Sequence, residues 1–403
     1  MKKKTINDVD PAWLHGRTAV VRADFNVPLD GDRVVDDHRL TESVPTIELL
    51  SAAGAKVVLL SHLGRPDGQV VPELSLAPVA KRLSELLGKP VRFIPEQDDR
   101  DAVSKEVAEL EPGEVSLLEN TRFLPGDTGN DPGLAAFWAS LGDIFVNDAF
   151  GVAHRAHAST AGLAEAMIAE GGEAVAGLLM AKELKYLEQS LRHPERPFTG
   201  ILGGAKISGK IGVISALLGR VDRLLIGGAM ANTFFRALGL DTGSSLVEED
   251  SIDLAHALIE QGGDRLLLPV DCVVTHEIAP GADARTVSRT EVSDDDKIVD
   301  IGPETRSLFT EEIARSETIL WNGPMGVFEI DAFAEGTMAI ARAVADACDG
   351  GALGVIGGGD SGAAVDRAGV GDRVSHVSTG GGASIKLLAG AEMPGLESLT
   401  DKG

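Results

Sequence analysis

Cysteine is almost missing from this chain. Cys272 and Cys348 stand far apart among 403 residues, with no C-x-x-C spacing, which excludes a disulfide framework and a cysteine zinc site. No run of about 18 apolar residues occurs, so no membrane-spanning helix is expected. The opening "MKKKTINDVDPAW" has the charge of a signal peptide but no apolar stretch behind it, and the chain reads as cytoplasmic. Positive charge is also short: 37 Lys and Arg face 62 Asp and Glu, for a net charge of −25, and lysine numbers 14 against 23 arginines. A surface of that sign repels nucleic acid and anionic membranes, so neither is expected as a partner. The acids are dispersed in patches such as Pro95–Asp101 and Ser293–Lys297 rather than gathered in a tail. Such a surface suits a salt-rich cytoplasm, where screening shortens repulsion to about 3 Å at molar salt, and it points to a halophilic origin.

What is present is enough apolar sequence for two domains of ordinary size: 43% hydrophobic against 25% charged residues. Short apolar runs alternate with amphipathic stretches, the pattern of parallel βαβ units. The runs are "TAVVRADFN", "KVVLLSHLGR", "PVRFIP", "EVSLLENTRF" and "DIFVNDAFG" in the first half. In the second they are "FTGILGGAK", "RLLIGGAM", "RLLLPVD", "TILWNGP", "ALGVIGGG" and "VSHVSTGGG". "TESVPTIELLSAAG" and "LAPVAKRLSELLG" read as helices, the latter closed by Gly88. The expected fold is α/β: two doubly wound parallel-sheet, Rossmann-like domains joined by a helical hinge. The expected boundaries are 1–174, a connecting helix over 175–192 ending near "RHPERP" with Tyr186 as hinge candidate, and 193–384. Residues 385–403 form a C-terminal segment free to return to the first domain.

Open parallel sheets bind ligands beyond the carboxyl ends of their strands. In the first half those ends carry Arg22, Asp24, Asn26, His62, Arg65, Arg122, His154, Arg155 and His157; in the second they carry glycines, Gly203–Gly204, Gly227–Gly228, Gly323, Gly357–Gly359 and Gly380–Gly382. Cationic side chains on one side and backbone amides at helix N-termini on the other are both ways to hold phosphate. Two phosphate sites on one chain suit phosphoryl transfer.

"GGAKISGK" (Gly203–Lys210) has the glycine and lysine spacing of a P-loop but Ile211 where a Mg²⁺-binding hydroxyl belongs, so the P-loop reading is weak. If Lys206 and Lys210 lie at i and i+4 on a helix, they repel by about 0.2–0.5 kcal/mol unless an anion sits between them. "GGGDSG" (Gly357–Gly362) matches a dinucleotide fingerprint, yet "VSHVST" ends without the ribose-binding acid. Asp360 there reads as a Mg²⁺ ligand or as a helix N-cap. Cys272, Met230 and Trp321 read as core.

In order along the chain, "VRADFNVP", "SHLGRP", "LLENTRF", "NDAFGVAHRAHAST", "GGAKISGK", "IGGAMANTF", "WNGPMGVFE", "GGGDS" and "VSTGGGAS" resemble the phosphoglycerate kinase family from Val21 to Ser384. The resemblance implies an enzyme moving a phosphoryl group between 1,3-bisphosphoglycerate and ADP, giving 3-phosphoglycerate and ATP. The phosphoglycerate would bind the N-terminal domain and Mg²⁺-nucleotide the C-terminal one, with domain closure excluding water. It implies substrate contacts at Asp24, Phe25, Asn26, Arg39, His62, Leu63, Gly64, Arg65, Arg122 and Arg155, with Arg22 and His157 nearby. Arg39 would also serve as a transition-state cation. Lys206 would hold nucleotide phosphate and Lys210 would follow the moving phosphoryl, both counted with Arg39 as catalytic. Glu329 would bind ribose, Gly357, Gly358, Gly359, Asp360 and Ser361 would line the nucleotide, and Asp360 would hold the metal. Gly209 stands where the family commonly has Asp, Ser361 where Thr is common, and Ala23 where Val is common. The attacking carboxylate is already ionised at neutral pH, so no general base is needed. A monomer is expected. The rival readings are a nucleotide-dependent dehydrogenase and a non-catalytic phospho-ligand binder.

Overall fold

A computed structural model describes residues 3–192 and 194–402; Met1, Lys2, Gly403 and His193, the last of these in the expected helix stop, lie outside the described residues. Contacts divide the chain into two compact units, Met1–Lys185 with Glu392–Gly403, and Tyr186–Ala391.

In the first unit the strands are β1 (Thr18–Arg22), β4 (Lys56–Leu60), β5 (Val91–Ile94), β6 (Val115–Leu118), β7 (Ile144–Asn147) and β8 (Glu173–Ala176), with a small hairpin of β2 (Leu29–Asp30) and β3 (Arg33–Val34) after β1. The six pair in parallel in the order β5-β6-β4-β1-β7-β8. Ala19–Val21 and Val57–Leu60 are buried throughout, as expected where helices cover both faces of a parallel sheet. From β1 the chain runs first to one side and then, from β7, to the other. The crevice beyond the carboxyl ends of β4, β1 and β7 is therefore a topological switch point.

The helix Ala77–Leu87 stops at Gly88, whose φ of 62° is the left-handed conformation that ends helices cheaply only at glycine. The helix Leu178–Arg192 starts where Asp148, just past β7, accepts the Met180 amide at 3.0 Å. The terminal segment is tied to this unit through Gly395, whose amide donates to the Ala153 carbonyl at 2.9 Å, and Thr400, whose amide donates to that of Ala174 at 2.8 Å.

The second unit repeats the plan with β9 (Phe198–Leu202), β10 (Arg223–Ile226), β11 (Leu266–Leu267), β15 (Thr318–Asn322), β16 (Leu353–Gly357) and β17 (His376–Ser378), ordered β11-β10-β9-β15-β16-β17. Its switch point lies between β9 and β15. An element the sequence reading did not anticipate is a three-stranded antiparallel sheet of β12 (Asp271–Thr275), β13 (Arg285–Ser288) and β14 (Lys297–Ile301), in the order β13-β12-β14. Asp271 opens β12 and caps the helix Pro303–Ala314, accepting the Glu304 and Thr305 amides at 2.9 and 2.8 Å.

Candidate active site

At the first switch point, charge is concentrated and only partly balanced. Arg22, the last residue of β1, is fully buried; its Nε donates to Ser159 Oγ at 3.0 Å, and Nη2 donates to His62 Nδ1 at 3.1 Å. Another of its nitrogens donates to the Ala23 carbonyl. Arg39, in the first turn of the helix His38–Ala52, donates to Asp24 Oδ2 at 2.9 Å. Arg122 donates to the Gly64 carbonyl at 2.7 Å while its buried Nε has no partner.

The electrostatics follow from crowding cations in a crevice whose floor, Arg22 and His62, is buried. Burial first, then Arg22, Arg122, Arg39 and His157, drive the His62 pKa well below its ordinary value. The ring is neutral, so its Nδ1 accepts from Arg22 and its Nε2–H remains to donate. The 3.9 Å separation of His62 and Asp24 is accordingly not an ion pair. Burial also pushes His157 down to about 4, against the pull of Asp127. Burial and Arg22 bring Arg122 down to about 10, leaving it charged at neutral pH. Four arginines, Arg22, Arg39, Arg122 and Arg155, thus stand near two carboxylates, Asp24 and Asp127, an excess of two positive charges. Arg65 is exposed and forms no ion pair among the described residues.

The sequence reading missed Asp127, which sits in the turn-like "LPGDTGN". It is fully buried, accepts from Thr121 Oγ1 at 2.6 Å and from the Ser159 amide at 3.1 Å, and thereby clamps the loops after β6 and β7 behind Arg22. Three expected contact residues are built into the scaffold. The Phe25 ring is wholly buried, its amide donating to Ser61 Oγ at 2.8 Å. Leu63 is buried, with its amide and carbonyl both taken by the Asn120 side chain at 3.2 and 2.7 Å. The Gly64 amide goes to Asn26 Oδ1 at 2.9 Å.

At the second switch point the chains crowd too closely for side chains. A Cβ on Gly203 would lie 2.0 Å from the Pro324 carbonyl, and one on Gly228 would lie 2.5 Å from the Gly204 nitrogen. The amides of Gly203, Gly204, Gly227 and Gly228 are already committed to carbonyls of Asn322, Pro324, Leu202 and Met325. Those glycines therefore serve close packing and do not present amides to a ligand. Open donors here include first-turn amides of the helix Gly359–Arg367, which have no carbonyl one turn back.

Lys206 and Lys210 do not share a helix face, contrary to expectation. The helix begins at Ile211, and both lysines lie in the loop before it, so the i,i+4 geometry never forms. Glycines at positions 203, 204 and 209 disfavour an earlier start. Lys206 is exposed, whereas Lys210 turns back to donate to the carbonyls of Gly203 at 2.5 Å and Asn322 at 3.3 Å. Burial lowers its pKa to about 8, with the Asp360 carboxylate acting to raise it.

Asp360 is exposed in the first turn of its helix, and Ser361 is buried, its Oγ accepting the Gly323 amide at 2.7 Å. A cavity of about 250 Å³ opens beside them, lined mostly by apolar and glycine surface including Ala205, Phe235, Pro324, Met325 and Val327, with Glu329 and Asp360 among its charged residues. Asp300 also lines it; burial pushes its carboxyl up to about 7, and its Oδ1 has no partner. Among the described residues no cluster of three or more His, Cys, Asp or Glu could hold a metal ion by itself.

The phosphoglycerate kinase family model matches residues 6–391. The chain is 50% identical over 406 residues to a phosphoglycerate kinase of Thermosipho africanus, covering 100% of this chain and 99% of that one. It is 52% identical over 402 residues to one of Rubrobacter xylanophilus, with the same coverage of each. Among solved structures it is similar to phosphoglycerate kinase from Coxiella burnetii, with a TM-score of 0.86 at 39% identity, and to that from Pyrococcus horikoshii, with a TM-score of 0.85 at 31% identity; each match covers 98% of both chains.

Proposed function

The chain belongs to the phosphoglycerate kinase family and is a kinase transferring a phosphoryl group between 1,3-bisphosphoglycerate and ADP; from that premise we propose how its residues divide the work. The phosphoglycerate binds the first switch point. The observation that carries this is the excess of arginine over carboxylate there, to which exposed Arg65 adds one charge. A phosphate of about −2 together with one carboxylate matches such an excess. His62 donates from Nε2, Asn26 and Arg39 face the substrate's carboxyl end, and Asp127 holds Arg22 and Arg122 in place from behind.

Nucleotide binds the second unit. Its base enters the apolar cavity, Glu329 meets the ribose, and its phosphates lie near the amino end of the helix Gly359–Arg367, reached by Lys206. Magnesium fits this arrangement as a passenger of the nucleotide. Mg²⁺ keeps several waters and takes one or two carboxylates besides phosphate oxygens, so the single exposed Asp360 suffices. Bound there, the ion neutralises phosphate charge.

In the ATP-consuming direction a carboxylate oxygen of 3-phosphoglycerate attacks the γ-phosphorus. The new C–O–P bond forms as the bond to the ADP oxygen breaks, and no proton moves. Catalysis is then positioning plus cations around the transferring group, the task of Arg39 and Lys210. Lys210 is charged below pH 8 and leaves the two carbonyls for the phosphoryl oxygens.

The acidic surface favours a monomeric, cytoplasmic enzyme adapted to high salt. A coupled assay with 3-phosphoglycerate and Mg-ATP over a salt series tests the whole reading. Turnover should persist or rise into molar salt. A folded sample inactive at every salt would refute it.

A further inference from the structure

The loop from Gly204 to Lys210 carries both lysines, and one of its contacts comes from outside the sheet and the following helix. Glu248 accepts from the Ser208 amide at 3.0 Å and from the Ser208 hydroxyl. Its own amide donates to Thr233 Oγ1 at 3.1 Å, and Asn232 Nδ2 donates to the Leu246 carbonyl at 3.1 Å. The helix Met230–Ala237 therefore fixes the segment on which Glu248 rides. The next acid, Glu249, faces Arg236 at 3.9 Å, and Glu248 is the one that reaches the loop.

Burial acts to raise the Glu248 pKa, but the Ser208 hydroxyl, the amides of Ser208 and Ile207 and the charge of Lys206 outweigh it and hold it below the usual carboxylate value. Two successive amides and a hydroxyl on one carboxylate, with an ammonium in its field, are also what a phosphate would be offered. Gly204, with φ of 99°, allows the chain to turn at the start of this loop in a way other residues resist.

We propose that Glu248 is a positioning residue acting as an internal anion, which occupies the donors of residues 206–208 when nucleotide is absent and yields them to nucleotide phosphate. This rests on the assignment of nucleotide to the second unit. The carboxylate places a negative charge in the field of Lys206 at rest and, through Ser208, keeps the lysine loop in one conformation. Nucleotide has to displace it, so the contact subtracts from nucleotide affinity. A residue with a merely structural role would do the opposite when removed, loosening the loop and weakening binding.

The test is steady-state kinetics on the full chain carrying Glu248→Gln or Glu248→Ala. In Glu248→Gln the KM for Mg-ATP should fall at least about threefold, the loss of one charged competitor, while the KM for 3-phosphoglycerate stays within about twofold. Mg-ADP should also raise the melting temperature more in this variant than in the parent chain. Glu248→Ala removes the carboxylate's hydrogen bonds together with its charge and leaves every donor of residues 206–208 for phosphate, so it should lower the Mg-ATP KM at least as much; it decides the matter if Glu248→Gln does not fold. An unchanged or raised KM for Mg-ATP in the folded variant overturns the proposal. A parent chain without turnover would instead overturn the functional reading itself.

Discussion

The Lys210 ammonium rests on the Gly203 carbonyl at 2.5 Å, with the Asn322 carbonyl at 3.3 Å, just past the carboxyl ends of the neighbouring strands β9 and β15. The lysine is held, half-buried, at the carboxyl end of the sheet, and burial brings its pKa to about 8. Lys210→Ala should lower kcat by about 10²–10³, the scale of losing one transition-state charge contact, with substrate KM values moving far less. Stability gives a second signature. The folded pKa lies below the ordinary lysine value of 10.5, so between pH 8 and 10.5 the unfolded chain binds more protons and stability rises with pH. Denaturant titrations across that range should show the rise in the parent chain and a flatter profile in Lys210→Met.

Arg65 and Arg22 separate binding from folding. Arg65 is exposed and free of ion pairs among the described residues, so Arg65→Ala should leave the melting temperature unchanged while raising the KM for 3-phosphoglycerate about tenfold. Arg22 is fully buried and stands against Asp127, which is buried too. Arg22→Met removes the fully buried one of the two arginines that face this carboxylate and should cost about 3–5 kcal/mol of stability. Paired melting curves and kinetics distinguish the two; equal destabilisation by both would contradict it.

Much of this was legible from residue order alone. The buried strands announce themselves as unbroken apolar runs, and in a parallel sheet the residues just past each run must share one edge. That is why Arg22, His62 and Arg122 could be placed together from residue order. Counter-charges were not legible. Asp127 lies among glycine and proline, where an acid ordinarily means a turn, and only the folded chain shows it behind Arg22. The lysine pair failed for a local reason, since helical spacing was assumed across a glycine-rich stretch that remains a loop up to Lys210. The β12–β14 sheet was missed because its strands, DCVVT, RTVS and KIVDI, are short and mixed in polarity, with neither an unbroken apolar run nor a glycine-rich end.

Asp300 makes stability depend on acid. Burial pushes its carboxyl from 3.8 to about 7, the Gly336 and Ile301 amides and Arg306 opposing and Glu335 assisting. The folded chain therefore holds a proton that the unfolded chain releases near pH 4. The stabilisation is complete below that pH and is lost as pH rises to 7, at a slope of about 1.4 kcal/mol per pH unit. Asp148, raised to about 6, titrates in the same window, so the comparison has to be with a variant. Asp300→Asn should gain stability relative to the parent chain between pH 5 and pH 8 in urea titrations. A constant difference across that interval would show that Asp300 is ionised throughout.

Gly228 should be the least replaceable residue tested in the second unit. Its φ of 67° is left-handed, and a Cβ there would meet the Gly204 nitrogen at 2.5 Å, the Gly204 carbonyl at 2.7 Å and the Pro324 carbonyl at 2.8 Å. Every obstacle is backbone, so no side-chain rotation relieves the clash. The left-handed conformation alone costs about 1–2 kcal/mol for alanine, and the forced shift adds to it. Because the displaced atoms belong to Gly204, where the lysine loop begins, Gly228→Ala should raise the KM for Mg-ATP and lower kcat while sparing the KM for 3-phosphoglycerate. Gly219 supplies the control: it ends the helix Ile211–Leu218 at φ of −77°, and an added Cβ meets nothing nearer than 3.5 Å. Gly219→Ala should hold or raise stability by up to about 1 kcal/mol through the unfolded chain. Equal tolerance of both substitutions would mean that the crowding of Gly203, Gly204 and Gly228 does not set the geometry of the nucleotide site.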